Sequence, residues 1–305
     1  IFVATSCVSP LTGFAFWETN LAYEGESIYN YLQVKNLSDR TILSTNVLFG
    51  VQSVTMKDKG LTGMYYDTAL AAPALADNAN SALILGMGTG TYARQLKQYY
   101  PKMNITGVEI DQKITDLAGE YFDEPADIPV TTYDGRAWLA ASHDKYDVIM
   151  VDAYQDITIP FQMSSAEFFT MVREHLNPGG VMVVNMNMIS DGQGSINEAL
   201  SDTIASVFGN GNTLTADVPN TTNRELFAKK PGSGSEENSM QQASKALNLR
   251  ETTYERTGSE DLEWYMEEVA SRFRKVNEPD SASTILTDDK APVEVLGMHA
   301  IDQII

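Results

Sequence analysis

The feature that most constrains the fold is a regular alternation of short apolar runs with amphipathic stretches, which begins at Ser81. Each apolar run has the length of a strand, and the amphipathic stretches are long enough for helices. Strands that alternate with helices form parallel sheets with right-handed crossovers. We therefore predict an α/β fold. The predicted strands are ALILG, NITGVEI, IPVTTYD, YDVIMVD and VMVVNMN, and the predicted helices are TYARQLKQYY, QKITDLAGEYF, RAWLAAS, SAEFFTMVREHL and SINEALSDTIASVF, followed by closing strands in NTLTADV and RELFAKK.

The chain before this alternation has a different pattern. Residues 17–56 are rich in aromatic and β-branched residues, and SIYNYLQVKNL, then SD, then RTILSTNVLFGVQSVTM is typical of a hairpin and a following strand. We predict a small antiparallel β domain over residues 1–64 and the α/β domain over residues 65–305. The latter begins with a helix in YYDTALAAPALAD. Near its end we predict a glycine-rich loop over residues 230–240 and helices over residues 241–247 and 261–276.

The charge of the chain limits its partners. It carries 41 acidic and 21 basic residues, a formal net charge of −20. Such a surface repels phosphate backbones and anionic lipid, so we expect no nucleic-acid partner. The negative surface suits a cationic ligand. The alternative explanation is that the charge only keeps the protein soluble. The single cysteine, Cys7, and three histidines show no spacing typical of metal ligands, so we expect no metal site.

The first residues of the sequence leave two interpretations open. Residues 1–17 carry no charge and are fewer than the roughly 20 apolar residues that a membrane helix needs. They lack the basic start of a signal peptide. They are compatible with a buried first strand. They are equally compatible with the exit from an upstream membrane segment, in which case the rest is a membrane-anchored cytoplasmic domain.

Four predicted strands end in residues that suit a ligand, and ligands of open parallel sheets bind at those ends. The first ends in the turn GMGTG, whose glycines allow close approach of the backbone. Glu109 ends the second strand and suits a ribose diol, because one carboxylate can accept both hydroxyl protons. Asp134 ends the third and can accept from an adenine amine, and Asp152 ends the fourth.

Each of these residues also has a simpler structural explanation. A glycine turn starts many helices, Glu109 can be a solvated strand end, and Asp134 can be the N-cap of the helix RAWLAAS. Asp152 can cap a turn. Together, in register at one edge of the sheet, they predict an adenosine-type ligand.

The glycine pattern G-x-G-x-G differs from the G-x-G-x-x-G of dinucleotide-binding folds and resembles that of S-adenosylmethionine-binding folds. Longer motifs resemble the spermidine/spermine synthase family, the polyamine aminopropyltransferases, and within it a bacterial branch whose members are often fused to membrane segments. The segments that carry this resemblance are ESIYNYLQV, LFGVQSV, MYYDTALAAPAL, VEID, YDGRAWL, YDVIMVDAY and LTDDKAPVE.

The resemblance implies a methyltransferase-like, Rossmann-type domain with helices on both faces of its sheet, behind a small β domain. It implies a transferase of polyamine biosynthesis that uses decarboxylated S-adenosylmethionine and releases methylthioadenosine without a metal. Asp152 and Tyr65 are implied as catalytic residues. The implied donor-binding residues are Gln52, Gly86, Gly88, Thr89, Gly90, Glu109, Asp134 and Gly135, and the implied amine-binding residues are Asn30, Tyr66, Asp67, Tyr154, Gln155 and Asp156.

The departures from the family pattern lie in the amine-binding half. The aspartate of the family's glycine loop is Thr89 here, and the second aspartate of its catalytic segment is Gln155, with Asp156 one step on. Tyr66, Asp67 and Asn30 also replace other residue types. Because two carboxylates in one desolvated pocket repel each other, Thr89 could make room for ordinary, carboxylated S-adenosylmethionine.

The leading hypothesis is an enzyme of the aminopropyltransferase type that takes S-adenosylmethionine or its decarboxylated form as co-substrate. Its acceptor would be a polyamine, or the donor's own amine or carboxylate in a cyclase or lyase reaction. Two alternatives stay open, an S-adenosylmethionine-dependent methyltransferase and an inactive nucleoside-binding domain. A homodimer is a further expectation.

Overall fold

The computed structural model describes residues 18–46, 50–123, 125, 127–154, 159–187, 194–209, 211–232 and 249–302. Its first sheet has four antiparallel strands in chain order. One face of this sheet is apolar because Leu32, Val34 and Leu43 all point to it, and they are fully buried. The strands are β1 (Leu21–Glu26), β2 (Tyr31–Asn36), β3 (Arg40–Thr45) and β4 (Ser53–Met56).

A second, eight-stranded sheet confirms the α/β fold class. Its order is β12-β10-β11-β9-β8-β5-β6-β7. The strands β5 to β9 pair in parallel, and β10, β11 and β12 are antiparallel additions at one edge. The strands are β5 (Ser81–Leu85), β6 (Asn104–Glu109), β7 (Val130–Thr132), β8 (Tyr146–Val151), β9 (Leu176–Met186), β10 (Thr213–Asp217), β11 (Arg224–Lys229) and β12 (Arg274–Lys275).

Helices cover both faces of this sheet and bury two apolar clusters against it. No helix in the described ranges is long and apolar enough to cross a membrane. The helices are α1 (Tyr65–Ala69), α2 (Ala71–Leu75), α3 (Thr91–Tyr99), α4 (Gln112–Tyr121), α5 (Gly135–Ala141), α6 (Ala166–His175), α7 (Ile196–Phe208), α8 (Leu249–Thr257), α9 (Glu260–Ser271) and α10 (Val293–Asp302).

Several local expectations differ from the structure. The predicted helix in YYDTALAAPALAD is two short helices that meet at Leu70. The helix predicted over 261–276 ends at Ser271, and Arg274–Lys275 instead pairs with β10. The sequence pattern also missed β1, which is irregular because a bulge shifts its register near Leu21. Residues 1–17, 233–240 and 241–247 lie outside the described ranges.

The small sheet is attached to the start of helix α3. The backbone N–H of Val54 donates to Thr91 Oγ1 at 3.0 Å, and the Thr91 hydroxyl donates back to the Val54 carbonyl at 2.8 Å. Its apolar face packs on α4 through Ile114, Leu117 and Phe122. These contacts place β4 over the glycine turn that follows β5. The domain boundary at residue 64 stays a prediction.

Candidate active site

The carboxyl ends of the parallel strands open into a cavity of about 290 Å³. Because these strands share one direction, the residues that follow them meet at the same edge of the sheet. Most of the residues predicted for a site line this cavity: Asn30, Gln52, Tyr66, Gly86, Gly88, Glu109, Asp134, Gly135, Asp152 and Tyr154. The other lining residues, which the motifs did not indicate, are Tyr29, Thr45, Ser53, Val108, Ile110, Ile114, Tyr133, Ala153, Pro160, Gln162 and Met163.

The turn after β5 requires glycine at two lining positions. Gly86 has φ +88° and Gly88 has φ +56°. A Cβ atom on Gly86 would lie 2.4 Å from the Asp152 carbonyl oxygen, and one on Gly88 would lie 2.7 Å from Ser53 Oγ. A side chain at either position would therefore clash as well as strain the backbone. The close approach to Asp152 brings the turn and the catalytic candidate together.

The two other predicted residues of this turn do not line the cavity. Gly90, with φ +81°, is the N-cap residue of α3. Thr89 is fully buried, and its hydroxyl has no hydrogen-bond partner in the part of the chain that the structure describes. The structure thus does not place Thr89 where its side chain could sense the charge of a donor, because β4 covers it: the Thr89 N–H donates to Ser53 Oγ at 3.3 Å.

Glu109 is held by the backbone of its neighbours. Its Oε2 accepts from the Gly88 N–H at 2.7 Å, and its Oε1 accepts from the Asp111 N–H at 3.0 Å. Burial raises the pKa of Glu109, and these two hydrogen bonds oppose that rise because they favour the charged form. The carboxylate is therefore fixed at the cavity wall, one strand away from the glycine turn.

Asp134 caps a helix and also lines the cavity. Its Oδ1 caps α5 by accepting from the Ala137 N–H at 2.7 Å, as the structural explanation requires. The residue nonetheless lines the cavity, next to Gly135 and Tyr133. Capping and ligand binding are thus compatible at this position.

Asp152 is held by two side-chain hydrogen bonds. Tyr65 donates from its hydroxyl to Oδ2 at 2.7 Å, and the Asn185 amide donates to Oδ1 at 2.9 Å. Burial raises the pKa of Asp152 to about 7, although these two donors favour its charged form. The negative charge of Glu109 adds to the rise. A carboxyl with this pKa changes protonation near neutral pH, as a general base must.

Asn185 is a hydrogen-bond partner of Asp152 that the motif analysis missed. It lies near the end of β9, and its Oδ1 accepts from the Asn223 amide at 2.9 Å, so its amide group is oriented toward Asp152. The sequence did contain a signal, since Asn185 is a polar residue at the carboxyl end of the otherwise apolar run VMVVNMN.

Of the predicted site residues around Tyr65, Tyr66 lines the cavity, whereas Tyr65 and Asp67 do not. Tyr65 and Tyr66 stack with ring centroids 4.0 Å apart, and the Tyr66 hydroxyl donates to the Gln52 carbonyl at 2.8 Å. Tyr65 does not line the cavity, but it contacts two residues that do, Asp152 and Tyr66. Asp67, predicted to bind substrate, instead accepts from the backbone of Thr62 and Gly63 at 2.9 and 2.7 Å, because it closes the turn before α1.

Of the remaining predicted amine-binding residues, Asn30 and Tyr154 line the cavity. Asn30 lines the cavity and donates to Asp111 Oδ2 at 3.1 Å. The Tyr154 hydroxyl donates to the Asn185 carbonyl and accepts from the Asn187 N–H. Gln155 and Asp156 lie outside the described residues. Within the described ranges, no group of three His, Cys, Asp or Glu residues could hold a metal ion.

Comparison with protein families gives a match to the spermine/spermidine synthase domain over residues 64–230. A polyamine aminopropyltransferase of Corynebacterium efficiens is 37% identical over 131 residues, which are 39% of this chain and 25% of that protein. One from Vibrio vulnificus is 28% identical over 209 residues, 65% of this chain and 69% of that protein. The chain thus spans from a quarter to about two thirds of these relatives.

Solved structures show the same fold. A probable spermidine synthase from Corynebacterium glutamicum superposes with a TM-score of 0.60 at 21% identity, covering 86% of this chain and 98% of that one. A spermidine synthase in complex with the transition state analogue AdoDATO superposes with a TM-score of 0.53 at 19% identity, covering 69% of this chain and 72% of that one.

Proposed function

Because the chain belongs to the spermine/spermidine synthase family, we propose that it transfers an aminopropyl group from decarboxylated S-adenosylmethionine to an amine acceptor and releases methylthioadenosine. The observation that carries this proposal is the Asp152 carboxyl, which lies at the cavity with two hydrogen-bond donors on it and a pKa of about 7. The acceptor we propose is a polyamine.

The charge of the cavity supports the decarboxylated donor. Three carboxyl residues line it, Glu109, Asp134 and Asp152, and no Lys, Arg or His does so among the described lining residues. A decarboxylated donor carries a sulfonium and an ammonium group and no carboxylate, so it complements this wall. The carboxylate of ordinary S-adenosylmethionine would add a further negative charge without a cationic partner. Thr89 does not change this balance, because it lies outside the cavity.

In the proposed mechanism the nucleoside lies across the strand ends. Asp134 and Tyr133 contact the adenine, Glu109 accepts from the ribose hydroxyls, and Gly86 and Gly88 let the backbone approach the sulfur-bearing chain. These assignments rest on the lining positions of the residues. The fixed geometry of Glu109 means that little ordering is needed when the nucleoside binds.

The acceptor amine would approach from the side of Asp152. Its lone pair attacks the aminopropyl carbon bound to sulfur, a C–N bond forms, the C–S bond breaks, and its electron pair neutralises the sulfonium. Asp152 orients the neutral amine and accepts the proton that the new ammonium group loses. Tyr65 and Asn185 hold the carboxylate in position during this transfer.

Product analysis tests this proposal. The protein is incubated with decarboxylated or ordinary S-adenosylmethionine, with and without putrescine, and the nucleoside product is identified. We expect methylthioadenosine with the decarboxylated donor and putrescine, and far less of it with Asp152→Asn. Methylthioadenosine that forms without any acceptor would support the lyase or cyclase reaction, S-adenosylhomocysteine would support a methyltransferase, and no turnover of either donor would contradict the proposal.

A further inference from the structure

The cavity opens at one end into a wide groove on the protein surface, which has a volume of about 700 Å³. Four residues line both the groove and the cavity, so they frame the opening between the two: Tyr29, Ile110, Tyr133 and Asp134. In the proposed mechanism Asp134 and Tyr133 contact the adenine of the donor. The opening therefore lies beside the base of the nucleoside, on the side away from the reacting carbon.

The rim of this opening is apolar. Ten large apolar side chains are exposed in the described part of the chain, and four of them lie here: Ile28, Tyr29, Ile110 and Tyr133. Single exposed apolar residues are normal, but a cluster of them marks a surface that binds another molecule. Ile28 is 90% exposed and lines the groove alone, whereas Tyr29 is 41% exposed and also lines the cavity.

Tyr29 belongs to the short turn of residues 27–30 between β1 and β2, and hydrogen bonds within the turn fix its conformation. The Ser27 hydroxyl oxygen accepts from the backbone N–H groups of Tyr29 and Asn30, at 3.0 and 2.9 Å. The Ser27 N–H donates to the Asn30 carbonyl at 2.8 Å. The backbone of Tyr29 is therefore ordered before any ligand binds.

The side chain of Asp111 attaches this turn to the second sheet. Asp111 is buried, and its Oδ2 accepts from the Ser27 hydroxyl at 2.5 Å and from the Asn30 amide at 3.1 Å. Its Oδ1 caps helix α4. Its backbone N–H donates to Glu109 Oε1 at 3.0 Å. One residue thus links the carboxylate at the ribose position to the turn that carries Tyr29.

We propose that the ring of Tyr29 packs on the base of the bound nucleoside, together with Tyr133, and that Asp111 is the positioning residue that holds Tyr29 in place. This inference rests on the nucleoside binding of the proposed function, and it adds a contact from the small sheet. A tyrosine suits the opening, because its ring stacks on a purine while its hydroxyl reaches the water of the groove.

Calorimetry with methylthioadenosine tests the contact. We expect the Kd of Tyr29→Ala to be about 5- to 30-fold higher than that of the unchanged protein, as for the loss of an aromatic ring stacked on a base. Tyr29→Phe keeps the ring and should bind nearly as tightly as the unchanged protein. Ile28→Ala is the matched control, since it removes an apolar side chain from the same turn that does not line the cavity. An unchanged Kd for Tyr29→Ala, or an equal rise for Ile28→Ala, would overturn the proposal.

A double-mutant cycle tests the positioning role of Asp111. Ser27→Ala removes one of the two side-chain bonds between Asp111 and the turn, and it leaves the bond from the Asp111 N–H to Glu109 in place. We expect Ser27→Ala to raise the Kd about 2- to 10-fold in the unchanged protein and to have no further effect in Tyr29→Ala, because it acts through Tyr29. A merely structural loss would be the same in both backgrounds. That result, or no loss in either, would overturn the role of Asp111.

These measurements are separate from the transfer reaction, because they use only methylthioadenosine. If Tyr29→Ala weakens binding although no donor is turned over, the proposed reaction is wrong and the Tyr29 contact stands. If the donor is turned over and Tyr29→Ala binds methylthioadenosine as tightly as the unchanged protein, the contact is wrong and the reaction stands. An unchanged protein that does not bind methylthioadenosine would contradict both.

Discussion

The Tyr65 hydroxyl donates a hydrogen bond to Asp152 Oδ2 across 2.7 Å, although the two residues are 87 positions apart in the chain. Tyr65 is buried and does not line the cavity, but it contacts two residues that do: Asp152 through this hydrogen bond and Tyr66 through ring stacking. Through this hydrogen bond Tyr65 influences the position and the pKa of Asp152.

Tyr65→Phe should consequently change the pH dependence of the reaction. Loss of a donor to the charged form raises the pKa of Asp152, so the rise of kcat/KM with pH should move to higher pH, and its plateau should fall about tenfold. Tyr92→Phe is the control, because the Tyr92 hydroxyl is as deeply buried but donates to the Ala69 carbonyl at 3.0 Å. A pH profile that Tyr65→Phe leaves in place would contradict this role.

Asp152→Asn should abolish most turnover. The change keeps the size of the side chain and removes its charge, so turnover should fall by about 10²–10⁴, the usual contribution of a positioned base. Methylthioadenosine binding, measured by calorimetry, should change much less, because the nucleoside contacts we propose lie on other strands. A fully active variant would remove the basis of the proposed mechanism.

The same variant should alter stability in a pH-dependent way. The pKa of Asp152 is about 7 in the folded protein and about 4 in an unfolded chain. The folded state therefore binds the proton more tightly, and stability falls as pH rises between these values. Asparagine does not titrate, so the variant lacks this loss of stability. The free energy of unfolding of Asp152→Asn, relative to that of the unchanged protein, should therefore rise by about 2–4 kcal/mol from pH 4 to pH 8. Urea unfolding at both pH values measures this, and a constant difference would show that Asp152 has an ordinary pKa.

Glu109→Ala should weaken nucleoside binding. The variant loses a carboxylate at the ribose position and also releases the N–H groups of Gly88 and Asp111, so the glycine turn is less ordered. We expect methylthioadenosine affinity to fall by about 1.5–3 kcal/mol, as for hydrogen bonds to a charged group. Glu120→Ala, at an exposed position, is the control. Unchanged affinity by calorimetry would remove Glu109 from the site.

The ion pair between Arg136 and Asp288 should support the cavity wall from outside. Arg136 donates to both Asp288 oxygens, at 2.7 and 2.6 Å, and also to the carbonyl of Gln162, a lining residue. Because the pair is partly exposed but bidentate, a double-mutant cycle of Arg136→Gln and Asp288→Asn should give a coupling of about 0.5–2 kcal/mol in unfolding. Nucleoside affinity should fall in both single variants. A coupling of zero would show that the C-terminal segment does not brace the wall.

The sequence by itself was sufficient for the fold class and for placing three acidic residues, Glu109, Asp134 and Asp152, at one edge of the sheet. Alternating periods of strand and helix predict a parallel sheet, and in a parallel sheet the residue after each strand must reach the same edge. Glu109, Asp134 and Asp152 could therefore be placed together before any contact was known. Motif resemblance named the family, which the domain match over residues 64–230 confirms.

Only the tertiary structure decided which side chains face the cavity. Thr89 and Asp67 occupy positions that a motif assigns to ligand binding, yet β4 covers the first and a backbone turn uses the second. Asn185 belongs to no motif, and the register of β9 on β8 brings it beside Asp152. A local pattern determines secondary structure and the direction of a strand. The burial and the hydrogen-bond partners of a polar side chain depend on residues that are distant in the chain. The packing of those residues therefore determines the protonation state of the side chain and its chemistry.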